Sequence, residues 1–327
     1  MKEIKITDIE GIKIGNAQDY DAATGCTVII CQEGAVAGVD VRGGAPGTRE
    51  TDLLNPINLV DRIHAVVLSG GSAFGLDASS GIMKYLEENN IGFDVGVTKV
   101  PIVCSAVLFD LVIGKNDIRP DSRMGYSACV NSNYTNELQN GNYGAGTGAT
   151  VGKFFGPEYS MKGGLGTYCV QVGDLKVGAI VAVNCLGDVV DTKSGQIIAG
   201  ALTKDKKNFL NTEKSMINKY GEISNVFNGN TTIATVITNA KLNKSNANKI
   251  ASMAHNAFGR AIRPAHTMYD GDTVFTMATD KVSADINVVG VLATNVLEEA
   301  IIRAVRDTSS LFDYKCHKDI SASHNYI

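Results

Sequence analysis

Residues 228–240 read Asn-Gly-Asn-Thr-Thr-Ile-Ala-Thr-Val-Ile-Thr-Asn-Ala, a polar turn ending in a threonine pair that opens a β-branched run. A threonine hydroxyl is a weak nucleophile within an intact chain. If the bond before Thr231 is cut, that residue gains an α-amine with a pKa of roughly 7.7 to 8.0, able to take the hydroxyl's proton near neutral pH. One cleavage then assembles nucleophile and base in a single residue. The same stretch also reads as a threonine-rich strand after an Asn-Gly turn, so the chemistry needs support from elsewhere in the chain.

Other residue patterns exclude competing chemistries. Gly144-Ala-Gly146-Thr-Gly148-Ala149 lacks the third glycine of a dinucleotide fingerprint at the right offset. Gly146 to Gly152-Lys153 resembles a phosphate loop, but five residues separate the glycines and Phe154 stands where a magnesium-binding hydroxyl belongs. In Gly70-Gly71-Ser72-Ala73-Phe74-Gly75 the glycine after Ser72 arrives one position too late for a nucleophile elbow, leaving a tight strand-to-helix turn or a pocket wall. The seven cysteines, Cys26, Cys31, Cys104, Cys129, Cys169, Cys185 and Cys316, are scattered without a Cys-x-x-Cys. They indicate neither a disulfide framework nor a zinc site, and most read as small core residues, with Cys316 expected near an exposed, frayed C-terminus.

The elements that must position such a nucleophile are legible as short β-branched runs between glycine turns: 26–31, 35–41, 65–68, 177–183, 232–238 and 273–279. Helical spacing marks 75–88, 245–262, with Ser245 as its cap, and 286–305. Strands and helices occur together without a βαβ repeat, which predicts an α+β layered fold. The stretch 203–230, rich in lysine and asparagine, reads as an exposed linker delivering the chain to Thr231.

The chain has 327 residues, 44% of them hydrophobic and 20% charged, enough for a sizeable core. A formal charge of −4 offers no basic field for nucleic acid or an anionic membrane, and no apolar run is long enough for a span or signal core. A cytoplasmic protein acting on small or peptidic partners is expected. No metal or cofactor is called for.

Five segments in order then carry a resemblance: Val-Arg-Gly-Gly-Ala-Pro-Gly-Thr-Arg-Glu-Thr at 41–51, Leu-Ser-Gly-Gly-Ser-Ala-Phe-Gly-Leu at 68–76, Lys-Gly-Gly-Leu-Gly-Thr at 162–167, Gly-Asn-Thr-Thr-Ile at 229–233 and Asp-Gly-Asp-Thr-Val-Phe at 270–275. Over nearly its whole length the chain resembles the DmpA-like family of L-aminopeptidase/D-esterases and β-peptidyl aminopeptidases, which also holds the nylon-oligomer hydrolases. That resemblance implies a four-layer αββα sandwich formed by one domain over 1–327, and self-cleavage between Asn230 and Thr231. The products would be subunits 1–230 and 231–327, with Thr231 as nucleophile and a homo-oligomer, tetrameric or larger. The implied activity is hydrolysis of short peptides or amino-acid amides through an acyl-enzyme.

The resemblance also implies four supporting residues. Asp270 and Asp272 are carried over as carboxylates orienting the Thr231 hydroxyl and amine; their plainer reading is an Asp-Gly-Asp turn. Asn184, at a strand end, and Lys153, after the glycine-rich run, are carried over as oxyanion donors, although such residues are commonly a turn former and a solvated cation. One departure stands out. Phe109 occupies the position where nylon-oligomer hydrolases place an active-site tyrosine, with Tyr126 the candidate to replace its hydroxyl. His266 lies near the Asp270 segment as a lining or loop residue, and His64 reads as structural. The alternatives to hydrolysis are acyl transfer of the ornithine acetyltransferase type and a non-catalytic, unprocessed homologue.

Overall fold

A computed structural model describes residues 1–221 and 229–324. The principal strands are β1 (Ile12–Asp19), β2 (Thr24–Val41), β3 (Arg62–Ser69), β4 (Val103–Val107), β5 (Gly164–Val172), β6 (Leu175–Asn184), β7 (Thr231–Ala240) and β8 (Thr273–Val282). The helices are α1 (Ala78–Glu88), α2 (Ser122–Asn131), α3 (Thr212–Asn218), α4 (Lys244–Ala254), α5 (Asn256–Ala261), α6 (Ile286–Arg306) and α7 (His317–His324). These form an α+β sandwich of four layers, αββα.

Strand alternation builds those layers. On β6, Val177, Ala179, Val181 and Val183 pack outward beneath α6, whereas Ile180 and Ala182 face inward. β8 divides the same way, with Val274 outward and Phe275 and Met277 inward. On the other side, Cys26, Val28 and Ile30 of β2 and Ala65 and Val67 of β3 meet α1 and α2, while Ile29, Ile63, Val66 and Leu68 face inward. The inward sets meet in one buried cluster between the strand layers. Because β6, β7 and most of β8 are buried on both faces, these stretches read as continuous apolar runs.

β2 joins the layers. Its first half pairs with β1 and β3, its second with β8, and the pairing with β3 shifts register between Ile30 and Ala35. The two strands expected at 26–31 and 35–41 are thus one long strand bent at a bulge. The helix expected from 245 to 262 begins instead at Lys244, capped by Asn243, whose side chain accepts from the Asn246 amide. It breaks at His255 into α4 and α5, and Ile262 is already extended.

Two further expectations are corrected. The stretch 203–230 is no featureless linker: α3 lies within it, and buried Thr212 donates its amide and hydroxyl to Asp188. The part of that expectation covering 222–228 lies outside the described residues. Cys316 is buried, as are the other six cysteines, all free thiols. His64 is buried within β3, where the structural reading placed it. Among the described residues, no helix is long and apolar enough to cross a membrane.

Candidate active site

Thr231 is the first residue of β7, the central strand of its layer, and sheet register decides its neighbours. Antiparallel pairing with β6 sets Asn184 directly opposite Thr231. Parallel pairing with β8 sets Ile233 beside Thr273, so the segment 270–272 that leads into β8 runs alongside Asn230 and Thr231. The Asn230 amide donates to the Tyr269 carbonyl at 3.3 Å, and the Gly271 amide donates to the Asn230 carbonyl at 2.9 Å. The Thr231 hydroxyl donates to that same Asn230 carbonyl, across the bond whose cleavage would expose the Thr231 amine. Gly271 leaves room for this arrangement: a Cβ there would stand 2.7 Å from Thr231 Oγ1.

On the β6 side, Lys153 is 2% exposed and its ammonium is ringed by carbonyls. It donates to Asn184 O at 2.9 Å, Asn184 Oδ1 at 2.8 Å and Gly229 O at 3.2 Å. Burial pulls its amine down to about 7, against the opposing pull of Asp270 and Asp110. The Asn184 amide is held at both ends. Its oxygen also accepts from the Thr150 amide at 3.0 Å, and its Nδ2 donates to the Phe109 carbonyl at 3.0 Å. A second buried lysine, Lys162, donates to the carbonyls of Gly146, Ala149 and Gly163 at 3.0, 2.8 and 3.2 Å, tying down the glycine-rich segment that presents Thr150 and Lys153.

On the β8 side stand the two aspartates, both buried. Asp270 accepts from the Leu186 amide at 3.2 Å and from the Thr267 amide and hydroxyl at 3.0 and 2.5 Å. Burial, reinforced by the Asp272 charge, raises its carboxyl to about 6. Asp272 accepts from the Thr232 amide at 2.8 Å through one oxygen, and from the His266 amide and Nδ1 at 3.0 and 2.9 Å through the other. Both precede the first residue of β8. The Asp-Gly-Asp segment is therefore a turn leading into the strand, and its two carboxylates are held by different donor sets.

A cleft of about 120 Å³ opens at Thr231, with Pro46, Ala73, Leu108, Phe109 and Tyr269 in its walls. Phe109 is thus at the site. Tyr126 is not: its hydroxyl donates to Glu88 at 2.8 Å on the α1–α2 surface, so it supplies no substitute for the missing phenol. Gly229 packs against the Phe109 ring with φ +45°, and a Cβ there would fall 2.1 Å from Phe109 Cγ. Gly229→Ala is accordingly expected to displace the Asn230 carbonyl and slow self-cleavage at least about tenfold, a 1 Å misplacement being worth as much as 10². Intact mass against time after expression measures it.

The four residues expected to support the chemistry, Lys153, Asn184, Asp270 and Asp272, all lie against the 229–232 segment: Lys153 on the Gly229 carbonyl, Asn184 opposite Thr231, Asp270 beside Asn230 and Asp272 on the Thr232 amide. Reading the residues alone missed the Gly271 amide on the Asn230 carbonyl, because a backbone donor carries no sequence signature, and the Lys162 clamp, because its acceptors are backbone carbonyls that any residue supplies. His266 had a weak signal, a histidine four positions before Asp270. Among the described residues, no group of three or more His, Cys, Asp or Glu side chains is arranged to hold a metal.

With that geometry in place, comparison with known proteins is informative. The model of peptidase family S58 matches residues 5–318. The chain belongs to peptidase family S58. This peptidase is 36% identical to an uncharacterized aminopeptidase of Mycobacterium tuberculosis, over 96% of this chain and 97% of that protein. It is 29% identical to a 6-aminohexanoate-oligomer endohydrolase of Paenarthrobacter ureafaciens, over 93% of this chain and 86% of that one. Among solved structures, the L-aminopeptidase D-Ala-esterase/amidase of Ochrobactrum anthropi, described as a variant of the Ntn-hydrolase fold, superposes with a TM-score of 0.73 at 16% identity, covering 98% of this chain and 93% of that one. A Burkholderia β-aminopeptidase gives 0.69 at 17% identity, covering 98% and 93%. The S58 peptidase is thus a hydrolase of peptide or amide bonds in an Ntn-hydrolase-like fold.

Proposed function

We propose that this peptidase is a self-cleaving N-terminal-nucleophile aminopeptidase or amidohydrolase, with Thr231 as its nucleophile. The observation that carries the proposal is the Thr231 hydroxyl resting on the Asn230 carbonyl, with a buried ammonium one residue upstream and two carboxylates beside it. In the first reaction Thr231 Oγ bonds to the Asn230 carbonyl carbon, the C–N bond breaks, and the nitrogen leaves as a protonated amine. Water then hydrolyses the ester, leaving the Asn230 carboxylate and a free Thr231 amine. Subunits 1–230 and 231–327 stay associated because β7 pairs with β6 and β8 pairs with β2, so the strands of 231–327 are held between strands of 1–230.

Turnover repeats this sequence on a substrate. The Thr231 amine takes the hydroxyl proton, Oγ attacks the amide carbonyl, the amine product departs, and water clears the acyl-enzyme. Lys153 and Asn184 hold the oxyanion region, to which the Gly271 amide adds a donor. Asp270 and Asp272 orient the turn against Thr231. We further propose that the enzyme is cytoplasmic, in keeping with its seven free, buried cysteines, and homo-oligomeric as a tetramer or larger. The strongly exposed Ile57, Leu59 and Val97 are suitable contacts for such an assembly.

Purified protein run under denaturing conditions tests the reading, with a fragment beginning Thr-Thr-Ile-Ala-Thr and hydrolysis of aminoacyl p-nitroanilides as the expected results. Persistent full-length chain without amidase activity overturns it in favour of a non-catalytic homologue. Acyl transfer to ornithine without net hydrolysis overturns it in favour of a transferase. A pH dependence follows as well. The Asp270 carboxyl, raised to about 6, is neutral below that value and ionised above it, so kcat is expected to fall as pH drops through about 6. A kcat profile of wild type and Asp270→Asn checks this, the limb being absent from the variant's residual activity.

A further inference from the structure

In the uncut chain, Thr231 is held from both directions. Upstream, Asn230 is tied to the 269–271 turn by two backbone hydrogen bonds. Downstream, the Thr232 amide donates to Asp272 Oδ1 at 2.8 Å. Cleavage severs Thr231 from the upstream ties. In the processed enzyme the peptide between Thr231 and Thr232 is then fixed, beyond strand pairing, by Asp272.

What fixes Asp272 is His266. The carboxylate oxygen not used by Thr232 accepts from both the backbone amide and the imidazole Nδ1 of His266, at 3.0 and 2.9 Å. Since a carboxylate only accepts, the imidazole proton in this contact sits on Nδ1. The ring packs against two neighbouring rings. His255 meets it edge-on at 4.9 Å between centroids, Phe258 lies tilted against it at 5.7 Å, and the His255 ring is in turn tied by Nε2 to the Asp40 carbonyl at 2.9 Å. His266 also has φ +59°, a left-handed conformation that turns its amide and its side chain onto the same oxygen.

We propose that His266 is a positioning residue for catalysis: by clamping Asp272, it holds the Thr231–Thr232 peptide and so aims the free N-terminal threonine at the substrate carbonyl. The proposal rests on Thr231 being the nucleophile. Its distinctive consequence is that His266 matters more for turnover than for self-cleavage, because the precursor retains its upstream ties.

The test uses processed full-length enzyme and L-alanine p-nitroanilide. His266→Ala is expected to lower kcat by about 10- to 100-fold with KM within about twofold, and to change the self-cleavage rate less than about threefold. His266→Asn is expected to recover kcat to within about threefold of wild type. Asn Nδ2 occupies the place of imidazole Nδ1, and asparagine tolerates the left-handed backbone. His266→Gln, whose amide sits one methylene farther out, is expected to stay slow. A kcat for His266→Ala within twofold of wild type overturns the proposal. Should the alanine variant not fold, the contrast between Asn and Gln decides, and equal kcat values overturn it. Thr231→Ala separates the two levels. Full activity in that variant sinks the nucleophile assignment itself, whereas an inactive Thr231→Ala beside a fully active His266→Ala sinks only the role of His266.

Discussion

Thr231→Ala is expected to leave the 34.6 kDa chain intact and to abolish amide hydrolysis. The variant keeps the fold, since a β-strand start accepts alanine and, among the described residues, the hydroxyl's hydrogen bond is to the adjacent carbonyl. What it removes is the atom that forms the covalent bond in both reactions. Loss of a nucleophile of this kind costs on the order of 10⁶ in kcat where it has been measured in a serine hydrolase, so residual activity should be lost in the background. Thr231→Ser, which retains the hydroxyl, is expected to process and turn over. Intact mass spectrometry with N-terminal sequencing reports the cleavage, and p-nitroanilide release reports turnover. Normal processing in Thr231→Ala, or a new end at Thr232 in the wild type, would move the nucleophile elsewhere.

Lys153→Met carries the second large effect. Its ammonium serves three carbonyl-type acceptors in a site closed to water, and methionine fills the volume while serving none of them. Each acceptor left unpaired costs about 1–3 kcal/mol, and the strand end at Asn184 and the turn at Gly229 loosen together. Loss of one oxyanion-type donor costs roughly 10² to 10³ in rate. Both self-cleavage and hydrolysis are therefore expected to slow by about that factor, with a lowered Tm. Lys153→Arg should rescue neither, since the larger planar guanidinium does not fit a hole shaped for an ammonium. Cleavage half-lives of the two variants, measured beside their melting temperatures, provide the check. A Lys153→Met protein that processes at the wild-type rate would reduce Lys153 to a packing role.

The Phe109 ring gives these expectations a chemical frame. It stands in the cleft wall, and its backbone carbonyl anchors the Asn184 amide, so the position is part of the site even without a phenol. A tyrosine side chain is not required for that anchoring. The Asn230 carbonyl accepts from the Gly271 backbone amide, while Lys153 donates to the Gly229 carbonyl one residue upstream. Backbone donors of this type are invisible in a sequence, because any residue supplies an N–H; only the requirement for glycine at 271 hints that something approaches closely there.

Much of the fold was legible because both strand layers are buried on two faces. Runs such as Val177–Val183 and Thr232–Thr238 announce themselves by β-branched content alone. Less visible were β1, β4 and β5, whose mixtures of glycine, cysteine and polar residues acquire strand geometry from their neighbours in the sheet. The bend in β2 and the break between α4 and α5 were hidden for the same reason: each is imposed by packing between layers, against propensities that favour simpler elements.

By itself, the order of residues determined that a threonine pair opens a strand after an Asn-Gly turn, and that the motifs around Gly70, Lys162, Thr231 and Asp270 occur together along one chain. Only the tertiary structure decided which groups attend the Asn230–Thr231 bond. Asn184 faces Thr231 through antiparallel register, and the Asp270–Asp272 turn lies beside it through parallel pairing. Lys153 reaches both Asn184 and Gly229 because water is excluded around them, and His266 meets Asp272 because a left-handed residue turns back on its own chain. Sequence spacing cannot encode these contacts. They depend on register across strands far apart in the chain and on the burial that makes every unpaired polar group costly.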